Sequence, residues 1–280
     1  MQLFIFSALI LYILSFFLVI LYHFNPSPLS SPQVGEGGVW GKNLFELLSK
    51  SAVVIGLNFH TIALSIRTYE SGHAPMLAMY ETLLFYSWST VLVSAIVIFR
   101  YNERLTELIT IPVTILVIIF AQLNETPAKP LTLILKTHWF EAHVISSFAA
   151  YALFTMAFAG AVLYLISELR TANSGGASHS PTKDFQDIAN RSILWGFFFF
   201  SASMFAGAVW AYLAWGTYWL WEPKVIWSFI VWFYYAGAMH AYYVKEWRGK
   251  GLAIATVIGF FVVLFTYLGV SMLMKSSHSF

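Results

Sequence analysis

Long apolar runs separated by polar segments occupy most of the chain. Eight of them are long enough to cross a bilayer as helices, because a transmembrane helix needs about 20 mostly apolar residues. Their approximate limits are residues 2–22, 47–66, 80–99, 106–123, 142–166, 193–214, 227–244 and 252–273. The pattern predicts an all-α polytopic membrane protein with about eight transmembrane helices.

The first apolar run predicts a retained helix, and the polar segments predict a loop and a linker. The first run has no basic flank and no small-residue cleavage site, which favours a retained helix over a signal peptide. Residues 25–41 are rich in Pro, Ser and Gly and predict a loop. The longest polar segment, 168–191, predicts a flexible linker. We expect a first helix and loop in residues 1–50 and the functional domain in residues 51–280.

Composition excludes several classes of protein. The 280 residues are 59% hydrophobic and 10% charged, whereas soluble domains carry about 25% charged residues. A net charge of +2 is too small to indicate a nucleic-acid partner. The chain has no cysteine. Disulfides and thiolate metal sites are therefore excluded within it, and histidine is the strongest ligand available.

The basic residues predict an orientation. Eight spans place both termini on one side of the membrane. Ten of the fifteen Lys and Arg residues fall on the other side, which the positive-inside rule assigns to the cytoplasm. We therefore expect both termini and the connection after the sixth run to face the exterior. In a bacterium this is the outer face of the inner (plasma) membrane, and in a plastid it is the thylakoid lumen.

Residues 215–227, here called the tryptophan segment, contain four tryptophans in thirteen residues. An interfacial aromatic belt normally uses about one or two at a helix end. Flat tryptophan rings at a membrane surface suit a large planar ligand, because they offer stacking area at low entropic cost. The segment is thus either a ligand platform or an unusually rich interfacial belt.

The tryptophan segment resembles the WWD domain of the haem-handling proteins of cytochrome c maturation. The family pattern is roughly W-G-x-x-W-x-W-D. Its positions are occupied here by Trp215, Gly216, Trp219, Trp221 and Glu222. Glutamate stands where the family usually has aspartate, which keeps the charge and lengthens the side chain.

Residues 72–82 and 139–144 narrow the resemblance to the CcsA/ResC-type subunit of the System II cytochrome c synthetase, over roughly residues 50–280. The resemblance implies that haem b is exported across the membrane as a substrate and presented at the tryptophan segment. Attachment to the Cys-x-x-Cys-His segment of apocytochrome c would follow. The implied partners are a CcsB/ResB-type membrane protein, apocytochrome c, thiol-reducing proteins and membrane lipid, with no nucleic acid.

Two histidines share the outer face with the tryptophan segment. His143 lies at the outer end of the fifth run, and His278 lies just beyond the eighth. Imidazoles on opposite sides of a haem iron form a bis-histidine site, and the resemblance matches this pair to the family's external ligands. His138 is a rival for the first ligand. Each histidine alone is also compatible with an interfacial residue bonded to water.

Two other histidines lie deep in the predicted membrane. His240 is about 20 Å from the outer edge, counted from Trp227 at 1.5 Å per residue. An ionisable group at that depth is a candidate functional residue, and the resemblance implies that it binds haem during export, with the partner ligand on a separate chain. His60 is either a ligand paired with His240 or a helix–helix hydrogen-bonding residue, and the second is favoured.

Two other functions are considered. A quinol-oxidising membrane cytochrome b would need pairs of deep histidines on facing helices, for which this chain offers only His60 and His240. A solute or lipid carrier would need intramembrane charges or broken helices in repeated halves, and neither is visible in the sequence. Loss of haem on substitution of the outer histidines would distinguish haem presentation from electron transfer.

Overall fold

The computed structural model describes residues 1–24, 37–173 and 182–274. Within these residues the fold consists of eight long helices joined by short connections. They are α1 (Gln2–Phe24), α2 (Gly37–Ser71), α3 (Met79–Tyr101), α4 (Glu107–Leu123), α5 (His138–Asn173), α6 (Thr182–Trp215), α7 (Pro223–Tyr243) and α8 (Lys250–Leu273). A short 3₁₀ turn, Leu133–Leu135, precedes α5, and α8 contains a π-helical stretch at Phe265–Gly269. The prediction of an all-α polytopic membrane protein is confirmed.

Each predicted run lies within one helix or within a residue of it. Six helices are long and apolar enough to cross a membrane by length and composition. Of the other two, α4 has only 17 residues and α7 carries many Trp and Tyr side chains. The prediction of a linker over residues 168–191 is wrong at both ends of that range. There α5 continues to Asn173 and α6 begins at Thr182. A helix can extend beyond the apolar region because it satisfies its own backbone hydrogen bonds there as well.

The first polar loop shows the same difference. It was predicted over residues 25–41, but α2 begins at Gly37. The rest of that loop and the centre of the predicted linker lie outside the described residues. The expected division of the chain at residue 50 stays a prediction.

Consecutive helices run antiparallel. One end of the bundle is here called the cavity end. The odd-numbered helices start there, and the even-numbered helices finish there. The Gln2 amide donates to the Tyr80 hydroxyl across 3.3 Å, which joins the start of α1 to the start of α3. The start of α1 and the end of α8 therefore lie at the same end, as an even number of spans requires.

The centre of the bundle is the long hairpin of α5 and α6, which pack against each other more extensively than any other pair of helices in the described part of the chain. Small residues permit this contact. A Cβ atom on Gly160 would lie 2.9 Å from the Phe185 carbonyl oxygen and 3.0 Å from the Ala189 amide nitrogen. Close approach of backbones through small residues is how helices associate in lipid, where no hydrophobic force drives them together.

Hydrogen bonds between side chains join α3 to this hairpin and α8 to α3. The Tyr86 and Thr155 hydroxyls lie 2.7 Å apart between α3 and α5, and the Tyr267 hydroxyl donates to Thr82 Oγ1 across 2.7 Å between α8 and α3. Polar groups inside a membrane protein are costly without partners. These bonds therefore specify which helix faces meet.

A buried ion pair joins the loops at the cavity end. Arg67 Nε donates to Glu81 Oε1 across 2.8 Å, and both side chains are almost fully buried. The second Glu81 carboxylate oxygen accepts from the Leu77 amide nitrogen at 3.0 Å, and Arg67 also donates to the Thr126 carbonyl oxygen at 2.9 Å. The pair therefore holds the connections before α3 and after α4 together.

Replacing Glu81 with Gln should destabilise the protein by about 3 kcal/mol, because it leaves the buried Arg67 charge without its counter-charge. The matched control is Glu46→Gln. Glu46 pairs with Lys50 across 2.6 Å, but this pair is partly exposed, and its loss should cost less than about 1 kcal/mol. Thermal unfolding of both variants in the same detergent measures the difference. Equal midpoints would show that the buried pair does not secure the loops.

Candidate functional site

The tryptophan segment begins where α6 ends. Gly216 has φ = 74°, a conformation that is costly for residues with a Cβ atom. Its amide nitrogen donates to the Tyr212 carbonyl oxygen across 2.9 Å and terminates the helix. Pro223 then occupies the first turn of α7, where its missing N–H is not needed. The residues between them cross from one helix to the next at the cavity end.

A cavity of about 700 Å³, including its open mouth, lies between this crossing and the α5–α6 hairpin. We call it the tryptophan cavity. Its aromatic and polar lining includes His143, Tyr151, Trp210, Trp215, Tyr218, Trp219 and Lys224. Concave sites with mainly apolar walls and a few polar groups are typical of small-molecule binding.

A second cavity of about 850 Å³, again including open space, lies on the side of α3 and α8. We call it the tyrosine cavity, because the buried Tyr267 lines it together with Thr82. The two cavities share five lining residues, namely His143, Ser147, Tyr151, Trp210 and Lys224. His143, which was predicted as an outer haem ligand, is thus part of the wall of both cavities.

The hydrogen bond of His143 determines which ring nitrogen carries the proton. Nδ1 lies 2.9 Å from the Ser203 carbonyl oxygen on α6. A carbonyl oxygen can only accept, so Nδ1 carries hydrogen and donates, and the neutral ring has its lone pair on Nε2. This tautomer is the one in which Nε2 can bind a metal. The His143 ring also lies nearly parallel to the Trp210 ring, at 20° and a centroid distance of 6.4 Å.

Trp210 is a site residue that the sequence pattern does not single out, because it lies within the apolar run of α6 and outside the tryptophan segment. Its Nε1 donates to the Ile134 carbonyl oxygen across 3.0 Å, and its side chain is 3% exposed. Its ring centroid is 4.9 Å from that of Trp215. Trp210 therefore connects His143 with the tryptophan segment. The only feature of the sequence that points to Trp210 as a site residue is its position five residues before Trp215.

The four tryptophans of the segment do not form one flat surface. Trp215 and Trp219 line the tryptophan cavity. The Trp221 ring is 71% exposed and stacks on Phe229 at 5.8 Å, and Trp227 packs against Phe265 of α8 at 4.6 Å. The structure thus brings two of the four to the cavity.

The charged residues of the segment lie at the start of α7. Lys224 lines both cavities, and its Nζ donates to the Ser271 hydroxyl across 2.9 Å, which joins α7 to the last turns of α8. Glu222 immediately precedes α7 in an extended backbone conformation. His278 lies outside the described residues, which end at Met274, one turn after Ser271.

The remaining outer histidines have other environments. The side chain of His138 is fully exposed, with Nδ1 3.3 Å from a Glu141 carboxylate oxygen, and it lines neither cavity. Between His138 and His143, the geometry thus favours His143 as the cavity ligand. Both ring nitrogens of His73 face carbonyl oxygens, of Ala74 at 2.6 Å and of Lys129 at 2.7 Å. His73 therefore ties two connections together.

The two deep histidines lie on helices with different neighbours. His60 is fully buried, with Nδ1 3.4 Å from the Tyr12 hydroxyl, where α2 packs against α1 and α3. His240 is exposed on the surface of the bundle, and its Nδ1 donates to the Ala236 carbonyl oxygen one turn earlier at 2.7 Å. The helix that carries His240, α7, packs against α6 and α8, whereas the helix that carries His60, α2, packs against α1 and α3. The structure therefore favours the helix–helix hydrogen-bonding interpretation of His60.

Fold and site together define a class: a polytopic α-helical membrane protein with an aromatic cavity and a histidine in its wall at one end of the bundle. A sequence profile described as "Cytochrome C assembly protein" matches residues 76–278. The chain belongs to this family. It therefore has a role in the maturation of cytochrome c.

Known proteins resemble the chain over most of its length. It is 30% identical to the cytochrome c biogenesis protein CcsA of Guillardia theta, over 85% of this chain and 87% of the relative. The CcsA protein of Pyropia yezoensis is also 30% identical, over 87% of this chain and 89% of the relative. The CcsA protein of Prochlorococcus marinus is 28% identical, over 90% and 88% respectively.

One solved structure has a similar fold. It is described as cytochrome c heme lyase CcmF, and superposes with a TM-score of 0.66 at 18% sequence identity. The match covers 99% of this chain but only 46% of that protein. The chain thus spans less than half the length of this structural neighbour. At this identity the likeness concerns the fold alone.

Trp219→Ala should reduce cytochrome c maturation by about tenfold, because losing a ring from the cavity wall removes more than about 1 kcal/mol of stacking and packing. Trp221→Ala is the matched control, since its ring is exposed and lines neither cavity. Maturation is measured by haem staining of the cytochrome, normalised to the amount of inserted protein. Equal losses in both variants would mean that the segment acts as an interfacial belt and not through the cavity.

Proposed function

We propose that the protein holds haem b as a substrate in the tryptophan cavity and presents it there for covalent attachment to apocytochrome c. The observation that carries this proposal is the position of His143. Its neutral imidazole, with the lone pair on Nε2, forms part of an aromatic cavity wall beside Trp210 and Trp215. A planar porphyrin needs stacking surface and an axial nitrogen ligand, and this wall offers both.

The second axial ligand is His278 in this proposal. The described part of α8 ends next to Lys224 and the cavity, since Ser271 accepts the hydrogen bond from Lys224 Nζ. A histidine seven residues after Ser271 is within reach of the same space by chain length alone. In the described residues no group of three or more His, Asp or Glu side chains suits a bare metal ion.

The polar groups at the rim have distinct parts in this function. Gly216 turns the chain so that the tryptophan segment crosses over the cavity, and Glu222 starts α7. Lys224 is an amine within both cavities and suits the propionate groups of haem. Attachment itself adds a cysteine S–H across each haem vinyl group, so the protein supplies position and ligation, not a catalytic group.

His240 is proposed to bind haem on its way through the membrane. It lies on an exposed stripe of α7 together with Ile230, Phe233 and Gly237. An imidazole facing lipid is costly, and Gly237 has no atom within 4 Å of an added Cβ. A helix of a CcsB/ResB-type membrane partner could therefore approach this stripe and supply a second ligand. His60, which is buried against α1, is not part of this site.

The complete assembly is a System II cytochrome c synthetase. The cavity end faces the exterior, that is the periplasm or its equivalent, or the thylakoid lumen in a plastid. Apocytochrome c with its Cys-x-x-Cys-His segment is the client, and thiol-reducing proteins keep its cysteines ready to react. A quinol-oxidising cytochrome b is less favoured, because His60 and His240, its required deep pair, lie on helices with different packing neighbours.

The histidine roles are tested by haem absorbance of the purified complex with its membrane partner. His143→Gly and His278→Gly should each lose the low-spin spectrum of a bis-histidine haem, and imidazole in the growth medium should restore it together with part of the cytochrome c maturation. His240→Gly should lower the total haem content, because entry and not presentation is impaired.

The control for this test is His138→Gly, which removes an exposed imidazole that lines neither cavity. It should keep both the spectrum and maturation. If the His143 and His278 variants keep normal haem spectra and normal maturation without imidazole, the haem-presentation function is wrong.

The orientation is tested separately with topology reporters. A periplasmic reporter fused after Ser279 should be active, and the same reporter inserted at Gly175 should be inactive, because ten of the fifteen basic residues lie on the Gly175 side. A cytoplasmic reporter at the same two positions should give the opposite result. The reverse pattern would place His143 and the tryptophan segment on the cytoplasmic side and contradict the mechanism.

A further inference from the structure

Gly207 of α6 lies directly against the His143 ring. A Cβ atom on Gly207 would be 2.6 Å from His143 Nδ1, 2.9 Å from Cε1 and 3.3 Å from Cγ. Distances below about 3 Å are far inside van der Waals contact. With any other residue at position 207, the imidazole could not occupy its observed place.

Two serines hold the same region of α5 against α6. Ser203 Oγ lies 3.0 Å from the His143 carbonyl oxygen and 3.1 Å from His143 Nδ1. The Ser147 and Ser203 hydroxyls are 2.6 Å apart, and Ser147 Oγ also donates to the His143 carbonyl oxygen at 2.8 Å. The helix backbones are thus secured at this level independently of Gly207.

Other glycines of the hairpin have a different role. At Gly160 the space is filled by backbone atoms of Phe185 and Ala189, and at Gly196 by the ring of the buried Phe154. These two glycines permit helix packing. At Gly207 the three nearest atoms all belong to the His143 ring, which is a side chain and not part of a helix backbone.

We propose that Gly207 is a positioning residue for the axial ligand. Its missing side chain lets the His143 ring lie against α6 with Nδ1–H on the Ser203 carbonyl oxygen, which is the tautomer that ligation through Nε2 requires. A methyl group at position 207 displaces the ring from that hydrogen bond while the Ser147–Ser203 contact keeps α5 and α6 together. The proposal rests on the haem-presentation function and adds a residue on a second helix to its outer site.

The test is Gly207→Ala in the complex purified with its membrane partner. The matched control is Gly251→Ala, because Gly251 lies near the start of α8 with no atom within 4 Å of an added Cβ. Both variants should be recovered in equal yield. Gly207→Ala should lose the low-spin haem spectrum and hold about 10–100-fold less haem at the outer site, the range expected when a partner that orients a metal ligand is removed.

The outcomes separate the possible roles. A Gly207→Ala protein with the yield, spectrum and haem occupancy of the control overturns the proposal. So does a protein recovered in low yield whose folded fraction keeps the low-spin spectrum, because Gly207 would then serve helix packing alone. His143→Gly measured beside it tests the underlying function. If that variant keeps its spectrum without imidazole, haem presentation by His143 fails, whatever Gly207 does.

A second variant tests the positioning role of Gly207 if Gly207→Ala does not fold. Ser203→Ala adds no atoms and leaves the Ser203 carbonyl oxygen in place, but removes the hydroxyl that lies 3.1 Å from His143 Nδ1 and bonds to the His143 backbone. Because Gly207 and the Ser203 carbonyl oxygen both remain, the proposal expects Ser203→Ala to keep the low-spin spectrum. Loss of that spectrum in Ser203→Ala would overturn the proposal, because the hydroxyl and not the space at Gly207 would then hold the ring.

Discussion

The close contact between α5 and α6 is the constraint on which the rest of the structure depends. The two helices approach closely because Gly160 leaves room for a backbone and Gly196 for a phenylalanine ring, and Gly207 leaves room for the His143 imidazole within the contact. In lipid this contact has to be made by packing and hydrogen bonds, since apolar surface gains nothing by leaving an apolar solvent. The same hairpin then carries α3 and α8 on its α5 side and α7 on its α6 side.

The site at the cavity end follows from this contact. His143 belongs to α5, but its hydrogen bond, its tautomer and its ring position are all set by α6. Trp210, also on α6, connects the imidazole to the tryptophan segment and to the 3₁₀ turn before α5. The geometry at this end therefore depends on α5 and α6 being held together.

Several buried polar groups join helices or loops of the bundle. The Arg67–Glu81 pair closes the loops at the cavity end, and the Tyr267–Thr82 bond joins α8 to α3 beside the tyrosine cavity. Tyr267 lies in the π-helical stretch of α8, a type of irregularity that is frequent at functional sites. His240 differs from these groups because it lies on the outside of the bundle, as a residue that meets another chain would.

The sequence by itself determined the number and order of the helices, because each apolar run must form its hydrogen bonds internally in a membrane. It also indicated His143 and the tryptophan segment, because four tryptophans in thirteen residues exceed an ordinary interfacial belt. Only the tertiary structure decided which of these residues meet. Trp219 lines the cavity and Trp221 does not, and Trp210, Ser203 and Gly207 join the site from within an apolar helix. The reason is that hydrophobic periodicity indicates only which residues of a helix are buried. Which side chain a buried residue contacts depends on how one helix is rotated against another.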